Sequence, residues 1–184
     1  MLDFQKIMRS EKVVLRPMKI DDFEEMKYLT TDSKMWYYFT ADLSDEPTLK
    51  KWIEIAIADL ENHKALPLTI IDPINGNIIG TTRIGNISEV NKRVEIGWTW
   101  ISKKYQGTGI NGHVKKLLFK YLFSETDILR VEFKTDVLNI PAKKAMEKVG
   151  LIKEGVLRSH TLMTNNRRRD TLYYSILKDE WNNK

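Results

Sequence analysis

Residues 105 to 112 read Tyr-Gln-Gly-Thr-Gly-Ile-Asn-Gly, and this stretch is built to hold an anion. From Ile110 onward apolar residues recur at Val114, Leu117, Leu118, Tyr121 and Leu122, the spacing of one buried stripe on a helix. Lys115, Lys116 and Lys120 are expected to face elsewhere. The segment from Val94 to Ile101 is rich in Val, Ile, Trp and Thr and reads as a strand. A strand, a glycine turn and a helix start aim unpartnered N–H groups and a partial positive charge at one point. Gly107 and Gly109 let the backbone approach a phosphate with no Cβ in the way, so a pyrophosphate is the natural ligand. The string is neither a Walker motif nor a G-x-G-x-x-G fingerprint, and a glycine turn before a helix also serves as a plain tight connection.

The rest of the chain supplies the frame. Lys12 to Arg16 reads as a strand ended by Pro17. Asp21 with Glu24 gives a capping-box start to a helix over 21–30, and Leu49, Trp52, Ile53, Ala56 and Leu60 give a second helix opening near Pro47. Between them lie Met35, Trp36, Tyr37, Tyr38 and Phe39, which either pack the helix pair onto a sheet or wall an acceptor site. Leu66 to Ile71 and Ile78 to Asn86 flank an Asn75-Gly76 turn, and with the strand from Val94 they form a meander. Val131, Phe133 and Thr135 alternate with Glu132, Lys134 and Asp136, a half-buried strand that follows a helix and so pairs in parallel. Asn139 and Pro141 open a helix that Gly150 ends. Leu157 to Met163 and Thr171 to Leu177 close a hairpin about Asn165-Asn166-Arg167. The order is a mixed α+β layout, read as a single domain over 1–184.

The order Gln-x-x-Gly-x-Asn at 106–111, following Val94-Glu95-Ile96-Gly97-Trp98-Thr99-Trp100, resembles the acetyl-coenzyme A loop of the GNAT superfamily, Q/R-x-x-G-x-G/A. Asn111 stands where that pattern has Gly or Ala. Together with Arg130-Val131-Glu132-Phe133-Lys134-Thr135-Asp136, the string is similar to the RimJ/RimL-type branch. The resemblance implies a central, mostly antiparallel sheet with a parallel splayed strand pair and flanking helices. It also implies acetyl-CoA as co-substrate, with an amine attacking the thioester directly. Gln106, Gly107, Thr108, Gly109, Ile110 and Asn111 would hold the pyrophosphate, and backbone N–H groups around Trp100, Ile101 and Ser102 would polarise the thioester carbonyl. Asn139 matches the asparagine that touches the pantetheine arm, beside its role as helix cap. Glu95 matches the glutamate that acts as base in many relatives; its other reading is a structural carboxylate facing a basic neighbour such as Arg93. At the two places where relatives carry a hydroxyl to protonate the thiolate, this chain has Ala142 and Met146. Unassisted departure, or a hydroxyl from Tyr121, Tyr173 or Tyr174, would take its place.

Composition narrows the alternatives. The chain has 184 residues, 42% hydrophobic and 30% charged, as in ordinary soluble proteins. Its lack of cysteine removes disulfides, thiolate zinc sites and a cysteine nucleophile, and His63, His113 and His160 have no metal-pair spacing, so no metal is expected. No Ser-His-acid grouping supports hydrolysis. No run of about 18 apolar residues occurs, and a cytoplasmic protein without membrane contact is expected. The net charge of +5 suits an anionic ligand, whereas the interleaving of acids with bases argues against nucleic acid. Arg167-Arg168-Arg169 is expected in a solvated turn. The acceptor is a protein N-terminal α-amine or a small amine, with Trp36, Tyr37 and His160 as candidate contacts. Lack of an acidic cluster disfavours a polycation. A rival reading is an acyl-CoA-binding module that does little chemistry. The C-terminal hairpin leaves a homodimer open.

Overall fold

The glycine cradle hangs on one sheet whose strands part next to it. The computed structural model describes residues 1–164 and 166–182. The strands are β1 (Met8–Arg9), β2 (Val14–Pro17), β3 (Leu66–Ile71), β4 (Ile78–Ser88), β5 (Arg93–Ile101), β6 (Arg130–Asp136), β7 (Ile152–Leu162) and β8 (Arg168–Leu177). The helices are α1 (Phe23–Leu29), α2 (Glu46–Glu61), α3 (Ile110–Glu125), α4 (Ile140–Lys148) and α5 (Lys178–Asn182). The strand order is β1-β2-β3-β4-β5-β6-β8-β7. Every pairing is antiparallel except β5 with β6, which is parallel because α3 carries the chain back between them. That parallel pairing holds only at Arg93–Arg130, Val94–Val131 and Glu95–Glu132, although β5 runs on to Ile101. The two strands therefore splay beyond Glu95.

A bulge sets the departure. The β4–β5 register slips between Thr81 and Arg83, and opposite the slip Trp98 takes φ +51°, which a residue with a Cβ adopts only under constraint. The constraint is Arg83, whose guanidinium lies 5.1 Å from the Trp98 ring and 5.2 Å from Trp52 on α2. Two apolar clusters fix the frame. Val94, Ile96, Val131 and Phe133 pack with Val114, Leu118, Phe119 and Leu122 of α3. On the other side Met26, Leu49 and Ile53 of α1 and α2 pack with Trp36 and Trp100. Each such fully buried side chain contributes about 1.5–3 kcal/mol, which is why the apolar stripes, and not local propensity, hold these helices.

Several expectations shift in detail. Asp21 does not cap the first helix: the buried Asp22 accepts from the Lys19 N–H at 2.9 Å and pairs with Arg16 at 2.6 Å, because the carboxylate is needed against the sheet. Asp45 caps α2 through the Thr48 N–H, with Pro47 in the first turn. The final hairpin starts at Ile152, five residues before the expected 157, and short elements β1 and α5 were not anticipated. α5 lays Trp181 on Phe119, 5.5 Å between ring centroids. Asn165 of the expected turn lies outside the described residues. Lys115 departs furthest from expectation: it faces inward and is 5% exposed.

Candidate active site

Gly107 and Gly109 adopt φ +77° and +88°, and Gly109 is the N-cap of α3. No atom lies within 4 Å of a Cβ built at either position, so the backbone conformation, and not crowding, demands glycine there. The loop is tied to the end of β5 by Gln106 Nε2 donating to the Ile101 carbonyl at 2.9 Å, and closed on itself by Thr108 Oγ1 donating to the Tyr105 carbonyl at 2.7 Å. These bonds turn the first N–H groups of α3 toward a cavity of about 840 Å³ that runs along the splayed end of β5 to the start of α4. Lys34, Lys103, Lys116 and Lys148 line it with Asp32 as the one carboxylate, a field suited to a polyanionic ligand. Asp32 is itself engaged, by the Lys34 N–H and by Lys103 at 3.3 Å, and these hold its carboxyl below the usual range.

Of the residues expected to meet the coenzyme, Trp100, Ile101, Gln106, Gly107, Gly109, Ile110, Asn111 and Asn139 line this one cavity. Thr108 does not, and its hydroxyl is spent inside the loop. The Ser102 N–H donates to the Ile79 carbonyl at 2.8 Å, because the β4–β5 ladder extends one residue further than expected, so it cannot polarise a thioester. Asn139 caps α4 with its Oδ1 accepting from the Ala142 N–H at 3.1 Å, which leaves its amide nitrogen for a ligand.

Glu95 is 6% exposed, and its Oε2 accepts from Asn86 Nδ2 at 2.6 Å and pairs with Lys134 at 2.5 Å. The basic neighbour is thus Lys134 and not Arg93, which pairs with Glu132 at 3.0 Å. Burial is the largest single influence on Lys134 and opposes its charge, but the hydrogen bond and charge of Glu95, together with Tyr173, outweigh it and hold the amine above its ordinary range. The other oxygen, Oε1, has no hydrogen-bond partner among the described residues and lies beside Gly97, where a Cβ would approach it to 3.3 Å.

The three candidate acceptor contacts separate. Trp36 is 2% exposed, donates its indole N–H to the Thr30 carbonyl at 2.9 Å and backs the cavity through Trp100 without lining it. Tyr37 is half exposed beneath the Arg167 guanidinium, 5.2 Å from its ring. His160 is exposed on β7, its Nδ1 3.1 Å from Thr171 Oγ1. The arginine run is not a solvated turn: Arg167 pairs with Asp136, which is fully buried, Arg168 bonds Ser159, and Arg169 bonds Thr171 at 3.0 Å. Asp170 pairs with none of them and accepts from the Ser159 N–H at 2.7 Å.

Tyr38 was expected only as one of the run from Met35 to Phe39, with no role of its own. Its ring lines the cavity with Asn139 and Ala142, and its hydroxyl donates to the Leu138 carbonyl at 3.2 Å. The tyrosines considered earlier stand elsewhere: Tyr121 meets Asp3, Tyr174 donates to Glu147 and is pushed up to about 12 by burial, and Tyr173 lies under Lys134. The aromatic density at 35–39 was the available signal, but it could not say which ring turns inward. Among the described residues no group of His, Asp and Glu is arranged to hold a metal ion, and no helix is long and apolar enough to cross a membrane.

A mostly antiparallel sheet that splays at one parallel pair, with a glycine cradle facing the gap, is the scaffold of an acyl-CoA-dependent acyltransferase. The acetyltransferase (GNAT) domain model matches residues 12–152, and the chain belongs to that family. YdaF of Bacillus subtilis (strain 168), provisionally named as a ribosomal N-acetyltransferase, is 29% identical over 180 residues, 94% of each chain. Spermidine N(1)-acetyltransferase of Escherichia coli (strain K12) is 25% identical over 174 residues, 94% of this chain and 89% of that one. A GCN5-related N-acetyltransferase from Brucella melitensis superposes with a TM-score of 0.85 at 21% identity, over 97% of this chain and 81% of that one. These relatives are in keeping with the RimJ/RimL-like branch, and the chain is an acetyl-CoA-dependent N-acetyltransferase.

Proposed function

We propose that the acceptor is the α-amine of a protein or peptide N-terminus, acetylated within one catalytic unit spanning 1–184. The observation that carries this reading is the charge state of the sheet face beside Glu95. Each carboxylate there is already paired within the protein: Glu95 with Lys134, Glu132 with Arg93 and Arg130, Glu154 with Arg130, and Asp136 with Arg167. Arg169 has no carboxylate within ion-pair distance among the described residues. A polyamine, whose recognition needs free acids, meets a face with a surplus of cations. A peptide presents one amine, neutral at the moment of attack, followed by carbonyl groups that arginine and tyrosine donors can hold. The relation to YdaF supports the same reading.

In the reaction the amine nitrogen attacks the thioester carbon. Its proton leaves toward Glu95 Oε1, the free oxygen of a carboxylate that Asn86 and Lys134 hold still. The C–S bond then breaks, and the thiolate takes a proton from the Tyr38 hydroxyl, which enters the cavity from the loop before α2 beside Ala142. Solvent returns a proton to the phenolate. The test is thiol release from acetyl-CoA across peptides with different first residues, spermidine, free amino acids and aminoglycosides. Peptides are expected to give the highest kcat/KM, with discrimination by the first residue. Faster turnover of spermidine would transfer the assignment to a small-amine enzyme.

A further inference from the structure

Lys115 is the one buried lysine among the described residues, at 5% exposure, and nothing in the reaction just described uses it. It sits on α3, with Nζ donating to Asn111 Oδ1 at 2.6 Å and lying 5.9 Å from the centroid of the Phe133 ring. No carboxylate of the described residues is within ion-pair distance. An ammonium has three donors, and this one has a single acceptor among the described residues. Burying such a charge costs several kcal/mol that a methionine of similar volume would not.

Its one hydrogen-bond partner among the described residues is the residue that departs from the family's Gly or Ala at this place. Asn111 lies in the first turn of α3 and lines the cavity. An asparagine amide is ambivalent, with an acceptor on one side and two donors on the other. An ammonium can only donate, so Lys115 fixes which way the amide points. Oδ1 must face the lysine, and Nδ2, which has no partner among the described residues, must face the cavity. The opposite orientation would set a carbonyl oxygen against an anion.

We propose that Lys115 is a positioning residue for the coenzyme, locking the Asn111 amide so that Nδ2 donates to the pyrophosphate. The inference rests on the coenzyme occupying the 106–111 cradle. It accounts both for the buried charge and for a side chain where the family pattern has little or none.

The experiment is titration calorimetry of coenzyme A against the full chain, with S-acetylpantetheine, which lacks the pyrophosphate, compared as an acyl donor. Lys115→Met and Asn111→Ala are each expected to weaken coenzyme A binding about tenfold, the scale of one hydrogen bond to a charged group. Both should lower kcat/KM by a larger factor for acetyl-CoA than for S-acetylpantetheine, which has no pyrophosphate for the amide to meet. The double variant should bind no more weakly than Asn111→Ala alone, since the lysine acts through the amide. Asn111→Asp, which aims a carboxylate at the phosphates, should lose more than either. Lys115→Met should keep a thermal midpoint at neutral pH at or above the wild type, which separates lost binding from lost folding. Wild-type affinity in Lys115→Met, alongside weakened binding in Gly109→Ala, would overturn the lock and leave the cradle standing. Unchanged binding in Gly109→Ala as well would overturn the cradle and the lock together.

Discussion

Glu95 and Lys134 stand on the two strands that part company, and their charged ends meet at 2.5 Å just where the parallel pairing ends. The pair holds one oxygen of the carboxylate and leaves the other, beside Gly97, with no hydrogen-bond partner among the described residues. A carboxylate fixed in this way suits proton transfer from an amine arriving in the splay.

Glu95→Gln keeps the shape and the Asn86 contact but removes the base. kcat is expected to fall about 10²-fold or more, the usual contribution of a positioned base. Coenzyme binding measured by calorimetry should stay within about twofold of wild type. A kcat within a factor of three would remove Glu95 from the mechanism.

Tyr38→Phe removes a hydroxyl from the cavity and, with it, the bond to Leu138. kcat should fall about 10–100-fold with little change in the KM for acetyl-CoA. Adding Ala142→Ser supplies a hydroxyl from α4 without restoring that bond, so recovery of turnover in the double variant separates proton donation from loop packing. No recovery, together with a lowered melting midpoint, would make Tyr38 a strut.

Burial brings Lys115 down to about 8 from its ordinary 10.5, with Asn111 and the Phe133 ring as its neighbours. Between those two values the unfolded chain holds a proton that the folded chain has released, so unfolding takes up a proton and stability rises with pH across this window. Below about 8 the full cost of the buried charge is present, on the order of 3 kcal/mol from the shift alone. Lys115→Met should therefore be more stable than wild type at pH 7 in urea unfolding, and its advantage should shrink as pH rises toward 10.5. An advantage that does not change with pH would mean that the lysine holds its proton equally in the folded and unfolded chains, so that burial does not shift it.

Arg83→Ala removes the cation between Trp52 and Trp98 and leaves Asp59, 3.3 Å from its guanidinium, without its partner. The expected loss is about 2–3 kcal/mol, from two aromatic contacts and the ion pair. Because Trp98 then has less to hold it in its positive-φ conformation, kcat/KM should fall further than the loss of folded protein explains. Chemical denaturation and kinetics on the same preparation would show whether the two effects travel together.

Much of the frame was legible in the chain. The stripe from Ile110, the alternation from Val131 and the cap at Asn139 are local patterns, each settled within one or two turns or one strand face, and they appear where they were expected. Contacts across strands were less accessible. Arg93 was the basic neighbour expected for Glu95, and only the β5–β6 register brings Lys134 to it instead. Asp170 follows three arginines in the chain but pairs with none of them: neighbours along a strand point to opposite faces, and Asp170 accepts from a backbone N–H of β7.

By itself, the sequence determined the cradle. Gln106, Gly107 and Gly109 carry their own geometry, because positive φ and a helix start follow from residue type and immediate neighbours. Only the tertiary structure decided which ring of Trp36, Tyr37 and Tyr38 enters the cavity, which cation meets Glu95, and that Lys115 turns inward to Asn111. Those outcomes depend on packing between segments dozens of residues apart or on competition for one buried space, and periodicity assigns a residue to a face without naming what it will meet there.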